Sequence, residues 1–200
     1  MTRTHEFEQQ TKALIDDLKA VCANYGLGND GNEFKIITQI FLYKFLNDKF
    51  IYELKKLDNK IADAENVDEV LRAYSDDDYE MLMMQLGEST AQINPDQFIS
   101  SLFIQQNEPN FAKLFDKTLL DIAKDNSGIF SAVTNEGQKI ALFEEISDYV
   151  RKDPDGFCKA IINKIVGFSF ENIFNEKFDF FATVFEYLIK DYNIDSGGKY

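Results

Sequence analysis

The chain has 200 residues, 44% of them apolar and 14% aromatic, enough for the core of one ordinary domain and too apolar for a disordered segment. Its 21 basic and 35 acidic residues leave a net charge of −14, which argues against strong non-specific binding to nucleic acid, because that affinity comes largely from Lys and Arg on phosphates. No apolar run reaches the ~20 residues of a membrane span and no apolar leader follows Met1; with Cys22 and Cys158 far apart in sequence, the expected compartment is the cytoplasm and the expected thiols are reduced.

The periodicity predicts helix after helix. Phe7, Leu14, Leu18, Val21 and Tyr25 share one face of the first, and Gly26 is placed to stop it. Asn29, Asp30 or Asn32 can cap the second, which runs to Leu57. There Phe34, Ile37, Phe41, the Lys44 stem, Phe45 and Tyr52 trace one face, while Ile36, Ile40, Tyr43, Leu46 and Phe50 trace another. A helix apolar almost all round belongs in the middle of a domain. Residues 61–75 are acidic and short in pattern. Ser75 with Asp76, Asp77 and Asp78 then opens a helix at its positive end, with Tyr79, Leu82, Met83 and Leu86 as its apolar side.

Asn94-Pro95 starts the next helix, carrying Phe98, Leu102 and Phe103; Pro109 starts another, with Phe111, Leu114, Phe115, Leu119 and Ile122. Asn135-Glu136-Gly137-Gln138 has the form of a capping box, and Ile140, Phe143, Ile146 and Val150 follow at helical spacing. Asp153-Pro154-Asp155 breaks the chain before Phe157, Ile161, Ile162 and Ile165. The last predicted helix carries a heptad-like seam of Phe174, Phe178, Phe181, Phe185, Leu188 and Tyr192. No strand alternation competes. The expected fold is an all-α multi-helix bundle around a long central buried helix, spanning 1–195, with 196–200 as the start of a linker.

Two segments carry a resemblance. The first is the pair of helices around residues 12–57, with the stretch Ile40-Phe41-Leu42-Tyr43-Lys44-Phe45-Leu46-Asn47-Asp48. The second is Phe185-Glu186-Tyr187-Leu188-Ile189-Lys190 followed by Ser196-Gly197-Gly198-Lys199-Tyr200, within 178–200. Together they resemble the N-terminal helical domain of the modification (M) subunit of type I restriction–modification systems, up to its junction with the methylase domain. The resemblance implies a parent that is an adenine-N6 DNA methyltransferase using S-adenosylmethionine. It implies work with a second M subunit, a sequence-reading specificity (S) subunit and a restriction (R) subunit, with duplex DNA bound only in the full assembly. This chain would then serve subunit interaction and DNA enclosure, with catalysis beyond Tyr200. The alternative is a free-standing α-helical interaction or regulatory protein; the reading frame after Tyr200 separates the two.

The chemistry-bearing motifs are few. Gly26-Leu27-Gly28-Asn29-Asp30-Gly31 spells GxGxxG, but that fingerprint needs a strand before it, and helix precedes it here. Asn94-Pro95-Asp96 and Asp153-Pro154-Asp155 lack the second Pro and the aromatic of the family's adenine-handling motif and read as helix starts. His5 is the only histidine, so neither a His-dependent triad nor a His-rich metal site can be assembled. Asp76, Asp77, Asp78 and Glu80 lack the spacing of a calcium loop. No catalytic, cofactor-binding or metal residue is therefore assigned. Lys44, Lys49, Lys55, Lys56 and Lys60 form the densest basic stretch and are the DNA-proximal candidates, against their ordinary role as a solvated helix face.

Overall fold

The long helix is indeed the centre. In a computed structural model that describes residues 3–28, 31–88, 90–130, 132–133, 139–140 and 143–174, the helix α2 (Gly31–Leu57) buries Ile36, Ile37, Ile40, Tyr43, Phe50 and Leu54 completely. With apolar side chains on every side, only a position inside other helices removes them all from water. The described residues form an all-α fold. A two-residue antiparallel ladder of β1 (Ala132–Val133) and β2 (Lys139–Ile140) is its one extended pairing among those residues.

α1 (Arg3–Asn24) buries Leu14, Leu18 and Val21, and its end is built as expected. Gly26 has φ +84°, its N–H donates to the Ala23 carbonyl at 3.1 Å, and the Leu27 N–H donates to the Cys22 carbonyl at 2.8 Å. That is a Schellman stop, whose left-handed residue suits glycine. The GxGxxG letters thus join two helices, with Asn29 and Asp30 outside the described residues.

Residues 59–84 form three short helices. α3 (Asn59–Ala62) is capped by Asp58, which accepts from the Lys60 N–H; α4 (Val67–Arg72) follows. α5 (Asp76–Met84) starts at Ser75, whose Oγ accepts from the Asp78 N–H at 3.2 Å. The helix expected from Asn94-Pro95 is split. Pro95–Gln97 makes one 3-10 turn, Phe98 is extended with ψ 147°, and α6 (Ile99–Ile104) starts afresh. The break frees the Ile99 N–H to meet Asn47 Oδ1 at 3.0 Å, and it sends the Phe98 ring against Phe50 at 5.9 Å.

α7 (Phe111–Asp125) lays Phe111, Phe115, Leu119 and Ile122 against the core, and α8 (Ser127–Phe130) continues from it. The next expected helix is not there. Phe143, Ile146 and Val150 are buried at the anticipated spacing, but they lie on irregular chain and one 3-10 turn, Ile146–Tyr149. The amides explain it. The Glu144 N–H donates to Gln39 of α2 at 2.8 Å and the Ser147 N–H to Asp116 of α7 at 3.2 Å, so they are not available to carbonyls four residues back. The capping-box residues 135–138 lie outside the described residues.

α9 (Pro154–Ile165) packs on α1, α6 and α7. Asp153, at φ +51°, caps it by accepting from the Gly156 N–H at 3.0 Å, and Asp155 accepts from Ala112 at 2.8 Å, capping α7 across the interface. A 3-10 turn, Glu171–Ile173, brings the chain back to α2, where Phe174 lies edge-on to Phe45 at 5.5 Å. The rest of the expected last helix, the 185–190 segment and the 196–200 linker lie outside the described residues.

Phe41→Ala and Phe50→Ala are expected to lower unfolding free energy by about 3–5 kcal/mol each, the usual range for a buried Phe. Phe45→Ala should cost less, because that ring is only half-buried. Asn47→Ala, which strands the Ile99 amide, should cost about 1–3 kcal/mol. Urea denaturation of the variants measures all of these.

Candidate functional site

The five lysines singled out in the sequence sit in and just after the second half of α2, and the structure separates them. Lys44 is a correction: it is not on a surface. Its ammonium lies 3.1 Å from Asp48 Oδ1 and its side chain is 6% exposed. Asp48 is held in turn by the Asn47 amide at 3.0 Å and by the Phe170 N–H at 2.9 Å. A phosphate has no approach to this charge. Burial pushes the Asp48 carboxyl above its ordinary range, against the pull of Lys44 and of these hydrogen bonds.

Lys49 and Lys56 both reach Glu53 at 2.9 Å, and their ammoniums also lie over aromatic rings, Lys49 at 5.1 Å from Phe174 and Lys56 at 4.4 Å from Tyr52. Burial pushes Glu53 up, but hydrogen bonds and charge from the two lysines outweigh it and hold the carboxyl below its usual range. Lys55 bridges both oxygens of Glu171, at 3.0 and 2.9 Å, and so fastens the end of the described chain to α2. Lys60 is exposed, with no ion pair among the described residues. The stretch is therefore largely self-neutralised. Partly exposed pairs of this kind contribute at most about 1 kcal/mol, so Lys49, Lys55 and Lys56 can change partners, whereas Lys44 cannot.

A basic feature missed in the sequence lies elsewhere. The end of α1, the start of α2 and residues 149–153 enclose a cleft of about 650 Å³, and Arg151 and Lys152 stand exposed in its wall beside Tyr25 and Tyr149. Neither cation has an ion pair among the described residues. The neighbouring Asp153 is committed to the Gly156 amide, and the Tyr149 hydroxyl donates to Glu144 at 2.6 Å. The signal in the sequence was the adjacent Arg-Lys pair, overlooked beside the acids that follow it. A second concavity, of about 350 Å³, lies between the end of α2 and α5, and Asp58 and Asp78 line it.

Nucleophiles are poorly placed. Cys22 and Cys158 are fully buried free thiols; burial pushes Cys22 up to about 12 and Cys158 higher still, so neither thiolate forms readily. His5 is half-exposed, 3.9 Å from Glu8. Among the described residues, no three His, Cys, Asp or Glu side chains gather so as to hold a metal ion, and no helix is long and apolar enough to cross a membrane. Fold and surface together define the class as an all-α helical domain. Compared with family models, curated proteins and solved structures, the chain matches none.

One buried carboxylate yields a pH prediction. Burial pushes Asp116 above its ordinary range, opposed by hydrogen bonds from Ser147 and reinforced by repulsion from Glu145 and Asp148. As pH rises past the unfolded carboxylate value, about 4, the unfolded chain gives up this proton while the fold still holds it. The contribution of this group to stability therefore falls with rising pH until its folded value is passed. Asp116→Asn keeps an acceptor for the Ser147 amide and should flatten that fall. Urea midpoints collected from about pH 4 upward test it, and an unchanged slope in the variant contradicts it.

Proposed function

We propose that this chain is the N-terminal helical domain of a type I M subunit, serving subunit contact and enclosure of DNA while catalysis resides elsewhere in the parent. The observation that carries the reading is the condition of the stretch that bears the resemblance. In residues 40–48, Ile40, Phe41, Tyr43 and Leu46 are core, the Tyr43 hydroxyl donates to the Gln97 carbonyl, Asn47 accepts from Ile99, and Lys44 and Asp48 pair with each other. A motif used so completely inside the protein is a fold signature, and a shared fold signature supports a shared module. It holds no reacting group. The Gly26–Gly31 letters follow the helix α1 and not a strand, so they are not read as a dinucleotide-type turn. In the proposed parent the cofactor, the adenine-N6 transfer and the S, R and second M subunits belong to the remainder of the assembly. The cytoplasm is the compartment that goes with this role.

The reading frame beyond codon 200 is the first test: continuation into a methylase domain supports the proposal, and a stop codon favours an independent helical interaction protein. DNA contact is tested next. The isolated domain should show no measurable duplex binding at physiological salt, where non-specific binders reach only ~10⁻⁴–10⁻⁶ M. In the assembly, Arg151→Ala with Lys152→Ala should lower the slope of log affinity against log salt by about 0.9 for each phosphate no longer neutralised. Replacing Lys49, Lys55 and Lys56 should lower it less, because each must first leave a carboxylate. Unchanged slopes in both sets would remove this domain from the DNA path.

A further inference from the structure

The cleft between the end of α1, the start of α2 and residues 149–153 has a chemistry that most of the surface lacks. The chain bends at Arg151 and Lys152, so two neighbours that would point to opposite sides along a strand both line the same wall. Both are exposed, and neither has a hydrogen bond or ion pair among the described residues. Asp153 is the one carboxylate among the described residues of that wall, and its side chain is turned to the Gly156 amide at 3.0 Å, as the cap of α9. In a chain of net charge −14 whose α2 lysines are largely paired, two uncommitted cations side by side make a local island that attracts an anion.

The rest of the lining gives the anion a shape. An Arg guanidinium offers a planar fork of donors and a Lys ammonium a compact charge; together they match the several oxygens and double charge of a phosphate monoester better than the single charge of a carboxylate. Asn24, exposed and without a hydrogen bond among the described residues, adds a neutral donor and acceptor. Tyr149 brings a half-buried ring whose hydroxyl is fastened to Glu144 at 2.6 Å. The hydrogen bond to Glu144, burial and the charges of Glu144 and Asp148 hold that hydroxyl above its ordinary range. The tip of the ring is therefore the electronegative end of the cleft, and an anion belongs at the other end, on Arg151 and Lys152. Tyr25 is already packed edge-on to Phe157 at 5.5 Å, which leaves Tyr149 as the ring for a ligand to lie against. The volume, about 650 Å³, falls within the roughly 300–1,000 Å³ of small-molecule sites and is far more than a bare phosphate fills.

We propose that this cleft binds a small aromatic phosphate monoester of nucleotide size, with its phosphate on Arg151 and Lys152 and its ring against Tyr149. The Gly26 and Leu27 stop of α1 forms the floor as a helix end, with no part as a glycine-rich phosphate loop. The inference does not depend on the M-subunit reading and survives its failure, because it concerns a small ligand and the 200-residue protein alone.

Calorimetric titration of that protein with adenosine 5′-monophosphate, adenosine and inorganic phosphate tests it. The monophosphate should bind one to one, and the other two should each bind at least about tenfold more weakly, since each lacks one of the two anchors. Arg151→Gln with Lys152→Gln should weaken the monophosphate by about tenfold or more and leave the urea midpoint in place, because both side chains are exposed. Tyr149→Phe, which keeps the ring and loses only its hydroxyl, should retain binding, whereas Tyr149→Ala should lose it. Amide NMR shifts caused by the monophosphate should centre on residues 24–27 and 149–153. The proposal is overturned if the monophosphate fails to bind, if adenosine or inorganic phosphate binds as tightly, if the paired cation variant keeps full affinity, or if the shifts centre elsewhere.

Discussion

The fold depends on how α2 uses its few polar side chains. A helix buried on all sides removes its apolar surface from water, but the segments around it bring backbone groups that would otherwise be stranded in the core. Gln39, Tyr43, Asn47 and Asp48 take up the Glu144 amide, the Gln97 carbonyl and the Ile99 and Phe170 amides respectively. Glu144 and Phe170 lie on irregular chain, Gln97 on a 3-10 turn and Ile99 at the first residue of α6. The central helix is thus both the apolar core and the frame on which the connections hang. Other elements repeat the device: Asn126, just past the end of α7, exchanges hydrogen bonds with the backbone of Gln92, and Asp116 of α7 holds Ser147.

Local pairing also shapes the charge. Although the chain carries −14, its α2 lysines are not a free basic face, because Asp48, Glu53 and Glu171 neutralise them locally. Lys60 and the Arg151–Lys152 pair have no such partner among the described residues. Excess acid remains on the outside, as in Asp76, Asp77 and Glu80 of α5. Such a surface meets cationic partners readily and polyanions only with help. This is why the proposed DNA role is placed in an assembly.

What the sequence made legible was what local rules decide. The Gly26 stop, the Ser75 cap, the Asp153-Pro154 start and the burial of α2 each follow from residues within one or two turns. What it concealed was decided at a distance. The helical spacing of Phe143, Ile146 and Val150 was real as burial and misleading as helix, because acceptors 105 and 31 positions away claimed the amides. Lys55 met a carboxylate 116 positions on, which no periodicity reveals. Lys44 with Asp48 and Lys49 with Glu53 are different: these i,i+4 pairs were open to view and pointed to neutralised lysines. The candidate site was therefore only partly readable, and the Arg151–Lys152 cleft emerged only once the end of α1 was set beside residues 149–153.

Native-state hydrogen exchange at the Ile99, Glu144 and Phe170 amides tests the central claim most directly. If α2 side chains fasten these segments to the core, the three amides should exchange only through global unfolding, with protection matching the stability measured by urea. Exchange of the three at the rate of exposed loop amides would contradict the account, because it would show segments opening while α2 remained folded.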